Sequence, residues 1–186
     1  MQINYSDTEL IQFFKDPLRK QAAFKMLLER YSRKVYWQVR RIVIDHDDAD
    51  DVVQNTFIKV WEKLADFRED SQLYTWLYRV ATNEALAFLQ KKKANLNVSM
   101  ETLQEQLSET LVAGAYFDGD RLALLLQQAV LQLPEKQRLV FNMKYFDGLK
   151  YEEMEAVLGT SVGALKASYH IAVKKVEAII KQHLNQ

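Results

Sequence analysis

Residues 151–166, YEEMEAVLGTSVGALK, have the spacing of two short helices joined by a tight turn. Leu158–Gly159 ends the first helix, because glycine takes the left-handed conformation at little steric cost. Ser161 can then cap the second helix by accepting a hydrogen bond from a free amide of its first turn. The pattern predicts a helix-turn-helix whose second helix can lie in a DNA major groove, although an ordinary helical hairpin fits the same residues.

Glycine and cysteine usage limits the fold classes open to this 186-residue chain. All five glycines lie between residues 114 and 163, so the first 113 residues favour long helices over sheets and tight turns. Cysteine is absent, which excludes disulfides and thiolate metal sites. We therefore expect an all-α protein of two small helical domains joined by an acidic linker, with the helix-turn-helix in the C-terminal domain.

The sequence shows no sign of a membrane segment, a secretion signal or a catalytic motif. No apolar run approaches the roughly 20 residues that cross a bilayer, and residues 1–5 lack the pattern of a signal peptide. His46, His170 and His183 are scattered, without metal-ligand spacing, and no phosphate loop or nucleophile motif occurs. We expect a cytoplasmic protein that is not an enzyme, with no cofactor, no metal, no membrane insertion and no small-molecule substrate.

Charge is unevenly distributed along a chain whose net charge is zero. Residues 1–93 carry 16 Lys and Arg against 14 Asp and Glu, and residues 121–186 carry nine against six. Residues 94–120 hold five acidic residues and no basic one. Because affinity for phosphates comes from counterion release at basic groups, such weak basicity predicts weak unaided binding to DNA. If this protein acts on DNA, we expect it to do so with a partner.

Helix signals divide the chain into an N-terminal domain over residues 1–93, a linker over 94–120 and a C-terminal domain over 121–186. A capping box at Ser6–Glu9 predicts the first helix, and Pro17 is expected in the first turn of the second. The third helix follows a loop and cap at residues 45–48, and the fourth is expected to end near residues 91–93. The linker, with little periodicity, is expected to hold at most some helical turns.

Two helices of the N-terminal domain carry polar stripes. On the third, a stripe recurs at three- and four-residue steps, as on a protein-binding face or a solvated one; it includes Asp51, Gln54, Asn55 and Ile58. On the fourth, aromatic and amide groups stand beside basic ones, which suits single-stranded nucleic acid, while core packing explains the aromatic residues equally well. This set comprises Tyr74, Tyr78, Arg79, Thr82, Asn83 and the lysines at 91–93.

Four segments, in this order, resemble the extracytoplasmic-function (ECF) sigma factors of the sigma-70 family. Residues 48–61, DADDVVQNTFIKVW, resemble the helix by which these proteins bind core polymerase, and residues 75–85, TWLYRVATNEA, resemble their promoter-melting helix. Residues 133–138, LPEKQR, and residues 151–169 resemble their C-terminal DNA-binding domain. The amino-acid sequence of residues 160–170 is similar to that of sigma factors of the Bacteroidetes type.

The resemblance implies a promoter-specificity subunit that binds core RNA polymerase, recognises the −10 and −35 elements of promoter DNA, and promotes melting. The implied polymerase-binding residues are Asp51, Gln54, Asn55 and Ile58. The implied −10 residues, which would capture a flipped base and its backbone, are Phe67, Ser71, Gln72, Arg79, Asn83, Lys91, Lys92 and Lys93. The implied −35 residues are Ser161, Gly163, Ala164, Lys166, Ser168, His170 and Lys174, while Tyr169 fits the core as well as it fits a DNA contact.

Two further expectations follow from the resemblance. The acidic linker would thread the polymerase cleft, and an anti-sigma factor would cover the Asp51 and Gln54 face or the recognition helix. The alternative is a stand-alone helix-turn-helix regulator with an N-terminal partner-binding domain, which the near-zero net charge disfavours. The sequence leaves open whether the two domains of the free protein are held together or apart.

Overall fold

The computed structural model describes residues 5–113 and 121–184, and within these ranges it contains nine α-helices and no strand. The expected all-α fold is confirmed. The helices are α1 (Asp7–Lys15), α2 (Lys20–Val43), α3 (His46–Lys63), α4 (Leu73–Leu96), α5 (Met100–Ala113), α6 (Arg121–Leu131), α7 (Glu135–Phe141), α8 (Tyr151–Leu158) and α9 (Val162–Leu184). A 3₁₀ turn follows α3 and a π-helical turn, Asn142–Phe146, follows α7. Of the described helices, none is both long and apolar enough to cross a membrane.

Local capping explains several helix starts. The Ser6 hydroxyl accepts from the amide of Glu9 at 3.2 Å, and the Glu9 carboxylate accepts from the amide of Ser6 at 2.7 Å, so the predicted capping box is confirmed. The carboxylate of Asp45 caps α3 by accepting from the amide of Asp48 at 3.0 Å. Because Asp45 alone supplies this cap, α3 begins at His46, and the predicted loop over residues 45–48 is wrong.

Two other predicted boundaries are also wrong. Pro17 lies in a turn before α2, because the amides of Arg19 and Lys20 bond back to the carbonyl of Asp16 and the helix begins only at Lys20. Helix α4 continues beyond the lysines at 91–93 to Leu96. It stops there because Asn97 takes a left-handed conformation, with φ 51°, and its amide bonds back to the last turn.

The first hydrophobic cluster joins helices α1 to α4 around α2, and it continues through α5 to Leu131 of α6 and Leu139 of α7. Its buried members on α2 include Leu27, Val35 and Val39, and Leu77 and Ala81 face them from α4. Polar bonds also attach α1 to this group: the Asp7 carboxylate accepts from Arg30 and from the Tyr31 hydroxyl, each at 2.6 Å. The N-terminal helices are therefore fixed by apolar burial and by one carboxylate shared between two donors.

Helix α5 occupies much of the segment in which a linker is predicted. Leu103, Leu107 and Leu111 recur every four residues along it, are all buried, and belong to the first cluster. Since this spacing forms one face of a helix, α5 joins the first cluster through a continuous apolar stripe, and it also packs against α6. The structure thus has more helix in this segment than the sequence suggests, and the domain boundaries at residues 93 and 121 stay a prediction.

Helices α6 to α9 form the C-terminal group around two smaller clusters. One includes Val130 of α6, Phe141 of α7 and Ala172 of α9, together with Leu133 just after α6. The other lies under the helix-turn-helix and contains Met154 of α8 and Leu165 of α9. The predicted turn is present: Gly159 has φ 63°, and its amide closes α8 on the carbonyl of Glu155 at 2.8 Å.

The two helical groups are packed together. Helix α8 packs against α4, and Tyr78 of α4 belongs to the cluster under the helix-turn-helix. An ion pair joins the groups at the same place. It forms between Arg41 of α2 and Asp147, which follows the π-helical turn. The sequence leaves open whether the two domains are held together or apart, and in this structure they are held together.

Replacing Leu27 by Ala is expected to lower the free energy of unfolding by about 2–5 kcal/mol, because the substitution leaves a cavity among buried side chains. Leu27 is 1% exposed, whereas Leu18 is 96% exposed and offers a control with the same chemical change. Leu18→Ala should alter that free energy by less than about 0.5 kcal/mol. Urea unfolding followed by circular dichroism measures both variants, and equal losses would contradict this packing.

Candidate functional site

A groove of about 660 Å³ lies between α3 and the C-terminal half of α4. Burial of Val52, Thr56 and Val60 turns the opposite face of α3 outward, so the predicted polymerase-binding residues are exposed together. Three of them, Asp51, Gln54 and Asn55, line the groove. The fourth, Ile58, lies further along α3 and is 51% exposed.

Ion pairs hold the two walls of this groove. Lys92 of α4 donates to the carboxylate of Asp48 on α3, and Lys59 of α3 donates to Glu84 of α4. Lys91 and Lys92 also line the groove, opposite the acidic and amide side chains of α3. The groove thus combines both charges, amides and apolar carbon, which suits a protein partner better than a small ligand.

A second cleft, of about 370 Å³, opens at the N-terminal end of α4. Trp76 provides an aromatic wall, and Phe67 lies beneath it with the two rings 5.2 Å apart. The cleft carries two guanidinium groups and several hydroxyl and carboxyl groups, and it is lined by Asp66, Phe67, Arg68, Asp70, Ser71, Thr75, Trp76, Arg79 and Ala156. An aromatic face beside cationic and hydroxyl groups can stack a base and hold its phosphates.

The predicted −10 residues fall in more than one place. Ser71 and Arg79 line the cleft, and Phe67 is buried as part of its floor. Asn83 is exposed one turn beyond Arg79, while Gln72 lines a separate cleft beside α1.

The lysines at 91–93 lie apart from this cleft. Lys91 is twelve residues beyond Arg79 on α4, which places it about 18 Å further along the axis. Lys91 and Lys92 line the α3–α4 groove instead, and Lys93 is partly exposed nearby. The structure therefore does not bring the lysines and the cleft residues into one site.

Sequence reasoning missed Trp76, Arg68 and Thr75 as cleft residues. Trp76 is part of a family motif for which no role is predicted, and Arg68 lies in the loop over residues 67–72 that is expected to capture a flipped base without being singled out within it. A signal was available in the order of the residues, because a charged loop leads directly into a helix whose fourth residue is a tryptophan. Only the fold shows that this ring remains partly open to the cleft.

The recognition helix α9 presents one exposed polar stripe. Ser161 caps it, since its hydroxyl accepts from the amide of Ala164 at 3.4 Å. Leu165, Ala172 and Val176 are buried and fix the rotation of the helix. The opposite side is exposed and includes Gly163, Ala164, Lys166, His170 and Lys174.

The side chain of Tyr169 is partly buried against the C-terminal core. Its ring is 6.0 Å from that of Phe141 and packs against both C-terminal clusters, and burial raises the pKa of its hydroxyl. Ser168 is only partly exposed beside it. Tyr169 thus packs against the core while part of its side chain remains exposed, and the predicted contact at His170 is open to solvent.

The ring of Tyr151, the first residue of α8, lies close to two lysine ammonium groups. The Lys144 ammonium lies 4.8 Å from the ring centroid and that of Lys166 lies 5.7 Å from it. Both distances fall within the range of a cation–π attraction. Lys144 also donates to the carbonyl of Leu149 at 3.0 Å, so two cations are oriented at this end of α9.

Of the two tyrosines of α4, Tyr78 is buried between the helical groups and Tyr74 is half-buried beside it. Tyr78, which the sequence placed beside a nucleic-acid surface, is 2% exposed and donates to the carboxylate of Asp147. Burial raises the pKa of Tyr78 well above its ordinary value, and the charge of Asp147 adds to the effect. Tyr74 stacks on Tyr31 with the rings 5.9 Å apart. Within residues 5–113 and 121–184, no group of three or more His, Asp or Glu side chains is arranged to hold a metal ion.

Comparison with protein families gives two matches in sequence order. The family described as Sigma-70 region 2 matches residues 27–95, which include all residues lining the α3–α4 groove except Leu96 and all residues lining the Trp76 cleft except Ala156. The family described as Sigma-70, region 4 matches residues 123–176, which include the helix-turn-helix. Both regions thus contain the surfaces described above.

Curated relatives are similar to the chain along most of its length. It is 30% identical to the ECF RNA polymerase sigma factor SigW of Bacillus subtilis, with 87% of this chain and 89% of that protein covered. It is 32% identical to the ECF RNA polymerase sigma-E factor of Escherichia coli, over 79% and 81% respectively. It is 29% identical to the RNA polymerase sigma-H factor of Pseudomonas aeruginosa, over 88% and 89%.

Solved structures share the fold. The chain is similar to CnrH, solved in complex with the cytosolic domain of CnrY, with a TM-score of 0.70, 25% identity, and coverage of 95% of this chain and 97% of that one. It is also similar in fold to the sigma factor RpoE of Bartonella quintana, with a TM-score of 0.67, 22% identity, and coverage of 85% and 96%.

Titration of Tyr74 tests the packing of this region. Burial, and secondly the charge of Asp147, raise the pKa of Tyr74 to about 12, whereas an unfolded tyrosine titrates at about pH 10. Because the folded-state pKa is the higher one, the stability that this proton contributes is complete below about pH 10 and is lost as pH rises through about 12.

Ultraviolet absorbance of tyrosinate measures this directly. The difference between wild type and Tyr74→Phe should show a component with its midpoint near pH 12. Tyr145→Phe, which removes a tyrosine that is 55% exposed, controls for the substitution. A Tyr74 component centred at about pH 10 would contradict the burial of this ring.

Proposed function

The chain belongs to the extracytoplasmic-function sigma factors of the sigma-70 family, and we propose that its three exposed surfaces divide promoter recognition among them. As a sigma factor it serves transcription initiation, with core RNA polymerase and promoter DNA as its partners. The α3–α4 groove binds core polymerase, the Trp76 cleft takes the −10 element, and the exposed stripe of α9 reads the −35 element. The observation that carries this division is the match of both sigma regions, in order, to the helices that bear these surfaces.

The α3–α4 groove suits a helical surface of the large polymerase subunit. Asp51 supplies a carboxylate for a basic partner residue, and Gln54 and Asn55 supply amides that both donate and accept hydrogen bonds. Ile58 adds exposed apolar area at the end of the same stripe. Phe88 and Leu96 line the groove between these polar groups, and apolar area combined with polar groups is the usual composition of a protein interface.

The Trp76 cleft suits a base that has left the duplex. A flipped base loses its stacking partners, and the exposed part of the Trp76 ring can replace one of them. Ser71 offers a hydroxyl for a pairing edge, and Arg68 and Arg79 offer guanidinium groups to the neighbouring phosphates. Because these contacts form only with an unpaired strand, binding there favours melted over double-stranded −10 DNA.

The exposed stripe of α9 suits a major groove. Gly163 and Ala164 have small side chains at the start of the helix, so the backbone there can approach DNA closely. Lys166 and Lys174 provide charge for phosphates, and His170 provides ring nitrogens for base edges. With so few cations, this surface alone binds weakly, and attachment to polymerase supplies the remaining affinity.

An anti-sigma partner follows from the same surfaces, because a protein covering the α3–α4 groove or the α9 stripe prevents contact with polymerase or DNA. CnrH, to which this chain is similar, was solved with a bound protein, the cytosolic domain of CnrY. This function involves no catalysis by the chain itself and takes place in the cytoplasm, where polymerase and promoters meet. Its assignment to the Bacteroidetes subtype stays a prediction.

The double substitution Asp51→Arg and Gln54→Ala is expected to weaken binding to bacterial core RNA polymerase by about tenfold or more, because it puts a like charge where a basic partner residue binds. Glu29→Arg is the control, since it makes the same charge change at an exposed position of α2 outside the groove. Fluorescence anisotropy of labelled protein titrated with core measures the affinity. If the double variant bound core polymerase as tightly as the wild type, the assignment of the α3–α4 groove to polymerase would be contradicted.

Lys166→Ala is expected to weaken holoenzyme binding to a selected promoter duplex and to lower its logarithmic salt slope by about one, because one phosphate contact is lost. Lys181→Ala, at an exposed position near the end of α9, is the control. Titrations at several salt concentrations give both slopes. Identical slopes for the two variants would show that Lys166 makes no phosphate contact.

A further inference from the structure

The carboxylate of Asp147 is buried where the two helical groups meet. Its side chain is 7% exposed, and it follows the π-helical turn in the C-terminal group. It accepts hydrogen bonds from the Arg41 guanidinium of α2 and from the Tyr78 hydroxyl of α4. Both donors thus come from the N-terminal group, and a single carboxylate of the C-terminal group accepts from each of them. This carboxylate plays no part in the three surfaces proposed above.

Apolar contacts surround this polar contact. The Tyr78 ring is buried among Val140, Met143, Met154 and Val157, so part of α4 completes a C-terminal cluster. The Arg41 guanidinium carbon also lies 5.3 Å from the centroid of the Phe146 ring, within the range of a cation–π attraction. Separating the two groups would therefore expose Tyr78 and break both hydrogen bonds of Asp147, and it would also uncover Leu131 and Leu139, which belong to the first cluster.

The same contact partly covers the cleft assigned to the −10 element. Helix α8 packs on α4, and its Ala156 forms part of the wall of the Trp76 cleft. An extended DNA strand crossing that cleft must therefore pass α8. In addition, Tyr78 lies one residue before Arg79, so the C-terminal group is seated directly beside a proposed phosphate contact.

We propose that Arg41, Tyr78 and Asp147 form an intramolecular clasp that keeps this sigma factor in a closed state, with α8 seated over the promoter-melting helix. Opening of the clasp frees the Trp76 cleft for single-stranded DNA. The closed state itself rests on the contacts alone, and its effect on DNA rests on the proposed function of the cleft.

The composition of the clasp makes it reversible. Burial raises the pKa of Asp147, even though Arg41 and Tyr78 favour its charged form, so desolvation is the larger effect. The Arg41 Nε is also buried without a hydrogen-bond partner among the described residues. A buried ion pair with such costs adds little net stability, whereas removing one partner leaves the other charge uncompensated. The clasp therefore specifies the closed arrangement and still yields to a competing partner.

Fluorescence energy transfer within the full chain tests the closed state. Because the chain has no cysteine, Lys25→Cys on α2 and Glu177→Cys on α9 introduce two unique labelling sites at exposed positions. Asp147→Asn and Tyr78→Phe should each lower the transfer efficiency, since each removes part of the clasp. Glu155→Gln on the exposed side of α8 and Tyr145→Phe are the matched controls and should leave it unchanged.

Single-stranded DNA binding tests the consequence. A labelled random-sequence oligodeoxynucleotide is titrated by anisotropy, and the clasp variants should bind it about fivefold more tightly or better, as expected for relief of an inhibitory equilibrium. Adding Arg79→Ala should remove that gain. Far-ultraviolet circular dichroism checks that each variant folds. If Asp147→Asn does not fold, the test rests on Tyr78→Phe, which keeps the buried ring.

The two readouts separate the two proposals. Unchanged transfer in the folded clasp variants would overturn the clasp, whatever the DNA result. Reduced transfer without any gain in DNA affinity would uphold the clasp and contradict the assignment of the cleft to the −10 element. Reduced transfer with a gain that Arg79→Ala removes would support both.

Discussion

Leu77 and Tyr78 are neighbours along α4, yet their side chains are buried in different hydrophobic clusters. Leu77 faces α2 in the first cluster, and Tyr78 faces Met143 and Met154 of the C-terminal group. One helix therefore serves two cores, and its rotation cannot change without disturbing both. This constraint fixes which residues of α4 remain at the surface, namely those that line the cleft at its start and the groove near its end.

Function follows from what this shared helix leaves uncovered. At one end, Trp76 and Arg79 face an opening suited to a base and its phosphates. At the other, Lys91 and Lys92 face the acidic stripe of α3. The C-terminal group adds a helix with few exposed cations, which fits a protein that binds promoters only as part of a larger assembly. Weak individual surfaces also allow one closed contact, at Asp147, to compete with them.

Local signals made much of this fold predictable from sequence. Gly159 and Ser161 predict the helix-turn-helix because a left-handed turn and an N-cap depend on adjacent residues. The structure differs where distant contacts decide. Asp147, next to Gly148, reads as an ordinary helix stop, and only packing shows that it bonds to Arg41 and Tyr78. Likewise, Phe67 reads as a base contact but is buried under Trp76, and the lysines at 91–93 are separated from Arg79 by the length of a continuous helix. The roles of the individual site residues stay predictions.

Transcription by a reconstituted holoenzyme tests the central claim most directly. The purified chain is mixed with core RNA polymerase from a related bacterium, transcribed on sheared genomic DNA, and the RNA 5′ ends are mapped against those made by core alone. We predict a new set of start sites that share two sequence elements at fixed distances upstream. If the start sites are unchanged and the chain instead binds duplex DNA without polymerase, the assignment of a sigma factor role to these surfaces is contradicted.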